Sequence, residues 1–251
     1  MNIQLKLVIL ILVLTLDDQV HSGEVIGGHV AVPHSRPYMV LMEMEHNNKI
    51  KYCGGFLLNE DFVMTAAHCQ ADSYTLLLGV HHYDESNDIQ KLFVEKAFPH
   101  EDYNTEGYKN DIMLLKMKSK ANFSKIVKPI DIADQGYDLL PQHCAVSGWG
   151  RTVRNRREMS LILMEANVTL IGSEQCQNKE HSYCSKGDTG PSVGDSGGPL
   201  VCEDGKAYGV VSSTFKPDNG GPLIDYYAKI PDFRQWIDSI MKKYQKVRLT
   251  K

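Results

Sequence analysis

Short apolar runs, each closed by turn residues, are the feature that most constrains how this chain can fold. Examples lie at 38–42, 55–58, 62–65 and 74–78 in the first half, and at 143–147, 161–164 and 208–212 in the second. Runs of this length, rich in β-branched and aromatic residues, are typical of β-strands. Many short strands with few helices predict an all-β protein built from barrels or a sandwich.

The C-terminal segment carries the one clear helical period. Its apolar residues recur every three or four positions: Ile230, Phe233, Trp236, Ile237, Ile240, Met241 and Tyr244. Pro231 suits the first turn of a helix, so we expect a helix over about 231–246. An amphipathic helix usually faces its own core, which favours a helix docked on a barrel over a helix that binds a partner.

The N-terminus reads as a secretory signal. Lys6 precedes an apolar run at 7–14, which Asp17 and Asp18 close. That run is too short to span a bilayer, so a cleaved signal at 1–22 is favoured over an uncleaved membrane anchor. No later segment is long and apolar enough to span. We therefore expect a secreted protein with no stable membrane insertion after signal cleavage.

Secretion permits disulfides, and the chain has six cysteines. Spacing alone leaves their pairing open. A zinc site is the competing interpretation, but no two cysteines lie two to four residues apart, so no metal is expected. The formal charge of -4 at pH 7 gives no reason to expect a nucleic-acid partner.

Three segments carry the chemistry, in the order Thr65-Ala66-Ala67-His68-Cys69, Asn110-Asp111-Ile112-Met113-Leu114-Leu115 and Gly194-Asp195-Ser196-Gly197-Gly198-Pro199. Each alone could be structural. Together they supply what nucleophilic acyl transfer needs, namely a serine hydroxyl, a base and an acceptor that fixes the tautomer of that base. The glycines around the serine let backbone amides converge on a developing oxyanion.

With these motifs the chain resembles a chymotrypsin-fold serine protease from Val25 to the C-terminal helix. It is most similar to the granzymes and mast-cell proteases of immune granules. The resemblance implies two six-stranded antiparallel β-barrels with a C-terminal α-helix, and a site in the cleft between the barrels. Ser147-Gly148-Trp149-Gly150 matches a family signature early in the second barrel.

The same resemblance assigns the site residues of a serine endopeptidase that needs no cofactor. His68 is the general base, Asp111 its orienting partner and Ser196 the nucleophile. The amides of Gly194 and Ser196 form the oxyanion hole. Ser212 supports the buried aspartate and starts the strand that pairs with substrate.

The disulfides follow from the resemblance as well. It implies three bridges, Cys53–Cys69, Cys144–Cys202 and Cys176–Cys184. The family's common fourth bridge beside the specificity pocket is missing, and Ser192 stands at one of its positions. That absence is typical of the granzyme and mast-cell group.

An activation switch is expected at Val25. The residues before it are Gly23-Glu24, not the Arg or Lys of most relatives. A two-residue Gly-Glu propeptide resembles that of granule proteases and implies removal by a dipeptidyl aminopeptidase. The new ammonium of Val25 would pair with Asp195 and order the oxyanion loop, because a buried carboxylate without a partner is costly.

Specificity stays open at this stage. Gly190 stands at the pocket base, where trypsin-like relatives carry an aspartate. Asp225 on another wall favours a basic or mixed basic–aromatic P1 residue, the residue before the cleaved bond. Thr214 and Pro191 add bulk and favour a small aliphatic P1. A chymase-like aromatic P1 is the third option.

Surface features and partners complete the expectations. Asn122-Phe123-Ser124 and Asn167-Val168-Thr169 are glycosylation sequons. Without residues 1–24 the chain is close to neutral, which argues against granule packing by bulk charge, so direct secretion and granule storage both stay open. We expect a monomer that acts on protein or peptide substrates and meets protease inhibitors.

The sequence argues against two rival functions. A catalytically inactive homologue acting as a binding protein usually lacks a triad residue, and all three are present here. An esterase or lipase carries its serine before its aspartate and histidine. The order here is His68, Asp111, Ser196, which excludes that class.

Overall fold

The structure is a computed structural model, and it describes residues 25–84, 88–136, 140–152, 158–177 and 179–246. The expected signal segment and the Gly23-Glu24 dipeptide lie outside the described residues. Thirteen strands and a C-terminal helix form two β units. None of the helices within the described ranges has the length and apolar character needed to cross a membrane.

The first β unit is a closed six-stranded barrel in the order β2-β3-β4-β7-β6-β5. Its strands are β2 (Met39–His46), β3 (Lys49–Leu57), β4 (Phe62–Thr65), β5 (Ser73–Leu78), β6 (Gln90–Pro99) and β7 (Met113–Met117). Asn47 and Asn48 join β2 to β3, and their positive φ angles of 50° and 58° suit a two-residue hairpin turn. Phe56, Leu76 and Leu114 are fully buried inside this barrel.

The second unit is a seven-stranded sheet in the order β1-β9-β8-β11-β12-β13-β10. Its strands are β1 (His29–Val30), β8 (His143–Gly148), β9 (Met164–Thr169), β10 (Ser182–Gly187), β11 (Pro199–Cys202), β12 (Ala207–Phe215) and β13 (Leu223–Lys229). An isolated bridge between Leu170, directly after β9, and Ser185 of β10 joins those two strands. The expected second six-stranded barrel is therefore present as six strands closed by one bridge, with the short β1 added at the edge of β9.

The C-terminal helix packs against the first barrel although it follows the second in sequence. A 3-10 turn at Ile230–Phe233 leads into helix α1 (Arg234–Lys246). Ile237 is fully buried in the core of the first barrel. The Tyr244 ring lies 5.0 Å from that of Phe98. The helix thus ties the two halves together, as the sequence predicted for a docked helix.

One predicted strand is displaced, and both sequons are on the surface. The run at 161–164 was expected to be a strand, but β9 begins only at Met164. Ile162 makes an isolated bridge to His82 instead, and the Leu163 N–H donates to the His81 carbonyl. Contacts between the two units thus override the local preference of this run for a strand.

The asparagines of the two sequons, Asn122 and Asn167, are both exposed.

Candidate active site

His68 lies on a 3-10 turn, Ala67–Cys69, directly after β4. Its Nδ1 is 2.7 Å from Oδ2 of Asp111, and its backbone N–H donates to Oδ1 at 2.8 Å. A carboxylate acceptor at that distance holds the ring proton on Nδ1 and leaves Nε2 free to accept another. The imidazole is 20% exposed, so a substrate can reach it.

Asp111 is held from a second side by Ser212. Its side chain is 1% exposed, and Ser212 Oγ donates to Oδ2 at 2.6 Å. With the two bonds from His68, this carboxylate accepts three hydrogen bonds. These three donors replace the water that burial removes from around the carboxylate.

Ser196 lies in a tight loop between Gly194 and Gly197, whose φ angles are +104° and +82°. A Cβ at position 197 would lie 2.1 Å from Thr65 Oγ1, so only glycine fits there. The Ser196 carbonyl accepts a bond from the Gly54 N–H at 2.7 Å. The loop is therefore fixed against the β3 and β4 strands that also position His68.

Two amides near the serine are available to a ligand. Within the part of the chain that the structure describes, neither the Gly194 N–H nor the Ser196 N–H has a hydrogen-bond acceptor. Gly194 itself is buried. An oxyanion hole requires backbone amides that can still donate to a ligand, and these two amides meet that condition.

Asp195 is almost fully buried behind the serine loop, with 1% of its surface exposed. The Gly150 N–H donates to its Oδ1 at 2.7 Å and the Ser192 N–H to its Oδ2 at 2.8 Å. Burial raises the pKa of this carboxyl to about 6, although the two amides act in the opposite direction. Its charged form is thus less favoured than that of an ordinary aspartate.

The segment that begins at Val25 runs beside this loop. Val25 is fully buried among the core residues of the second β unit. Ile26 forms an antiparallel bridge with Gly190, and the Gly190 N–H donates to the Ile26 carbonyl at 3.0 Å.

The three residues expected at the specificity pocket come together. Thr214 and Asp225 are directly opposite on β12 and β13, and Thr214 Oγ1 donates to Asp225 Oδ1 at 2.6 Å. A Cβ at Gly190 would lie 2.4 Å from Asp225 Oδ2. The carboxylate therefore fills the space of a side chain at position 190. Asp225 is fully buried, whereas Thr214 is exposed.

A groove on one side of His68 contains residues that the sequence did not reveal. Its volume is about 420 Å³, and it is lined by Gly107, Tyr108, Lys109, Gln177, Lys179, Ser213, Thr214, Phe215 and Tyr226. The Tyr108 ring meets the His68 imidazole edge-on at 5.5 Å. These residues come from two loops and two strands, so no local sequence pattern could have grouped them.

A second groove lies beside the serine loop, near Met159. It is lined by Leu41, Tyr52, Tyr83, Trp149, Met159, Ser160 and Leu161. Met159 approaches the serine loop, since its Cε would be 2.7 Å from a Cβ at Gly194. One groove thus reaches His68 through Tyr108, and the other reaches the serine loop through Met159.

The six cysteines form three disulfides, and these are the pairs that the resemblance implied: Cys53–Cys69, Cys144–Cys202 and Cys176–Cys184. The first of them fixes the turn that carries His68. Cys53, His68 and Cys69 lie within reach of one ion, but the two sulfurs are bonded to each other, so they offer no thiolate ligand.

Fold and site together define a chymotrypsin-fold serine endopeptidase, and comparison with known proteins agrees. The trypsin family profile matches residues 25–237, and the chain belongs to that family. It is 38% identical to granzyme B(G,H) of Mus musculus, over 95% of this chain and 99% of that protein. It is 39% identical to mast cell protease 3 of Ovis aries, over 94% and 96%.

A solved structure agrees at the level of the fold. The structure of granzyme C matches with a TM-score of 0.75 and 35% identity, covering 86% of this chain and 99% of that chain. The predicted likeness to the granzyme and mast-cell group is therefore confirmed, as is the class of enzyme, a serine endopeptidase.

Proposed function

We propose that His68, Asp111 and Ser196 hydrolyse peptide bonds through an acyl-enzyme. The observation that carries this proposal is the network in which Asp111 binds both the His68 ring and the Ser212 hydroxyl while Nε2 stays available. Ser196 Oγ attacks the carbonyl carbon and His68 takes its proton. Asp111 stabilises the resulting imidazolium, and the Gly194 and Ser196 amides hold the oxyanion.

The second half of the reaction follows from the same groups. His68 returns the proton to the leaving amine, and the peptide fragment that carries the new N-terminus departs. Water then attacks the ester while His68 acts as base again, which releases the acid and restores Ser196.

A fluorophosphonate probe tests the proposal on protein that begins at Val25. We expect covalent labelling of Ser196, no labelling of Ser196→Ala, and strongly slowed labelling of His68→Ala. An inactive homologue that serves as a binding protein would leave Ser196 unmodified while the chain is folded. Circular dichroism of all three proteins shows whether they share one fold.

We propose further that the enzyme is made as a zymogen, and that a dipeptidyl aminopeptidase removes Gly23-Glu24. Support comes from the position of the Val25 segment beside the loop that holds Asp195. A new ammonium at Val25 would give this buried carboxylate a cationic partner and order the oxyanion loop. Digestion of protein that begins at Gly23 should move its N-terminus to Val25, and peptidase activity should rise in step.

For the cleaved bond, we propose a shallow pocket that takes small aliphatic P1 residues. The exposed Thr214 lies across the mouth and binds the fully buried Asp225 beneath it. A long Lys or aromatic side chain would have to displace this bonded pair. The basic and the chymase-like preferences are therefore less well supported than a preference for Ala or Val.

A scan of P1 residues with Thr214→Gly as the key variant tests this. The native enzyme should cleave after Ala and Val, whereas Thr214→Gly should gain cleavage after Lys by about tenfold or more, because it uncovers Asp225. That gain should vanish when Asp225→Asn is added. Thr214→Val, which keeps the bulk, is the matched control and should retain the native preference. Efficient native cleavage after Lys would contradict the shallow pocket.

The setting of this activity is also a proposal. We propose that the enzyme is secreted or stored in granules, acts as a monomer on protein substrates, and is a target of protease inhibitors. Asn122 and Asn167 are exposed and could carry glycans. Sedimentation of the mature protein tests the monomer, and a mass shift after glycosidase treatment of secreted protein tests the glycans.

A further inference from the structure

Lys179 is held at the floor of the groove beside His68. It lies in the loop between β9 and β10, which the Cys176–Cys184 disulfide closes. Its Nζ donates to Ser213 Oγ at 3.3 Å and lies 4.1 Å from the centre of the Tyr226 ring. The ammonium is therefore positioned by the fold and does not sweep through solvent as an exposed lysine does.

The groove around it is cationic. Of the described residues that line it, Lys109 and Lys179 are basic and none is acidic. The hydroxyl and the aromatic ring that touch the Lys179 ammonium are both neutral. Partial burial lowers the pKa of Lys179, while Asp111 acts in the opposite direction. Asp111 is already bound by His68 and Ser212, so a carboxylate entering the groove would be the first to contact this ammonium.

A bound peptide has one edge on which to lie. Residues Ser213 to Phe215 of β12 pair with β13 on one side. On the other side, β11 pairs with β12 only as far as Val210, so within the described chain this edge has no strand partner. An extended peptide can add to such an edge through its main chain.

The alternation of an extended chain decides which peptide side chains meet Lys179. Successive side chains point to opposite faces. With P1 in the pocket at Gly190 and Thr214, P3 shares the face of P1. P2 and P4 share the opposite face, which carries Ser213 and Tyr226, the two residues that Lys179 contacts.

We infer that Lys179 makes this enzyme select Asp or Glu at P2 or P4 of its substrates. The inference rests on the proposed function, because it assumes that the peptide lies along β12 with its cleaved bond at Ser196. It makes Lys179 a specificity-determining residue that acts by contact with substrate and takes no part in the bond-breaking step.

Matched peptide substrates test it. Each pair carries the same best P1 residue and leaving group and differs only by Glu or Gln, placed at P2, P3 or P4. We expect kcat/KM for the native enzyme to favour Glu over Gln by about tenfold at P2 or P4, the size of a charge-assisted hydrogen bond, and by much less at P3.

The variants separate Lys179 from the general charge of the cleft. Lys179→Met keeps the length of the side chain and should reduce the Glu-to-Gln ratio to near one. Lys179→Arg should keep the preference and guards against a folding defect in the first variant. Lys109→Met removes the exposed lysine of the same groove and should leave most of the preference intact.

The outcomes distinguish this inference from the proposed function. If Ser196 reacts with fluorophosphonate but the native ratio is near one at P2 and P4, the inference is wrong and the function stands. A ratio that persists in Lys179→Met, or that is largest at P3, overturns it as well. If Ser196 does not react, the function fails. Calorimetric binding of the same Glu and Gln peptides to Ser196→Ala then tests Lys179 without turnover.

Discussion

Two buried aspartates, Asp111 and Asp195, belong to the candidate site, and they differ in their hydrogen-bond partners. Each is about 1% exposed. Asp111 accepts three hydrogen bonds, two from His68 and one from Ser212. Asp195 accepts two, both from backbone amides, and burial raises the pKa of its carboxyl to about 6.

The two aspartates differ in which groups stabilise their buried charge. The partners of Asp111 belong to β12 and the His68 turn, so they are present as soon as the chain folds. No basic side chain among the described residues is within ion-pair distance of Asp195. A cation made by cleavage at Val25 would complete its environment. One aspartate therefore suits steady catalysis and the other suits a switch.

The largest effect should come from removing the charge of Asp111. Asp111→Asn should lower kcat by about 10⁴-fold, because the amide favours the wrong tautomer of His68 and cannot stabilise an imidazolium. Steady-state kinetics on one peptide, with KM reported separately, measures it. A loss below about tenfold would mean that a group other than Asp111 orients the His68 ring.

Removing the charge of Asp195 should cost less, and only after activation. Asp195→Asn in protein beginning at Val25 should lower kcat by about 10² to 10³-fold, because the oxyanion loop loses its ionic anchor. The same substitution in protein beginning at Gly23 should change an already low rate very little. Equal losses in both forms would show that Asp195 acts without Val25.

The stability of the precursor should depend on pH through Asp195. Its pKa of about 6 exceeds the unfolded value of about 3.9, so between these values the folded chain binds more protons than the unfolded one. Precursor stability should therefore fall by about 2 kcal/mol as pH rises from 4 to 6, and the Val25 form should lose less.

Chemical unfolding at each pH measures this loss. Asp195→Asn in the precursor is the control and should remove most of it, since the amide does not titrate. A precursor whose stability rises across the same window would reverse the sign and contradict the account.

The smallest effect should come from the third donor to Asp111. Ser212→Ala removes one hydrogen bond from a carboxylate that keeps two, so kcat should fall about tenfold, the size of one hydrogen bond to a charged group. Ser212→Thr retains the hydroxyl and should recover most of the rate. A loss as large as that of Asp111→Asn would mean that Ser212 contributes more than this bond.

Local sequence predicted what local chemistry determines. The motifs at His68, Asp111 and Ser196 predicted a candidate site, because acyl transfer needs those residue types, and the structure brings His68 and Asp111 together. The period from Ile230 to Tyr244 located the C-terminal helix. The run at 161–164 was misassigned because its partners, His81 and His82, belong to the other β unit.

Other features depend on contacts that no local pattern carries. All residues of β6 are partly or fully exposed, so the strand lacks the continuous apolar run that predicts a buried strand. The position of Lys179 over Tyr226 joins a loop to a distant strand. The hydrogen bond between Thr214 and Asp225 was likewise not predictable, although the sequence indicates both residues as part of the specificity pocket.

The most direct test of the account compares three proteins that differ only in where the chain begins, at Gly23, Glu24 or Val25. Initial rates of peptide hydrolysis are measured on the same substrate, with the active fraction fixed by fluorophosphonate titration of the Val25 form. The account predicts that the Val25 protein is at least about 100-fold faster than the other two, because only its ammonium can pair with Asp195. Equal rates from all three would contradict it.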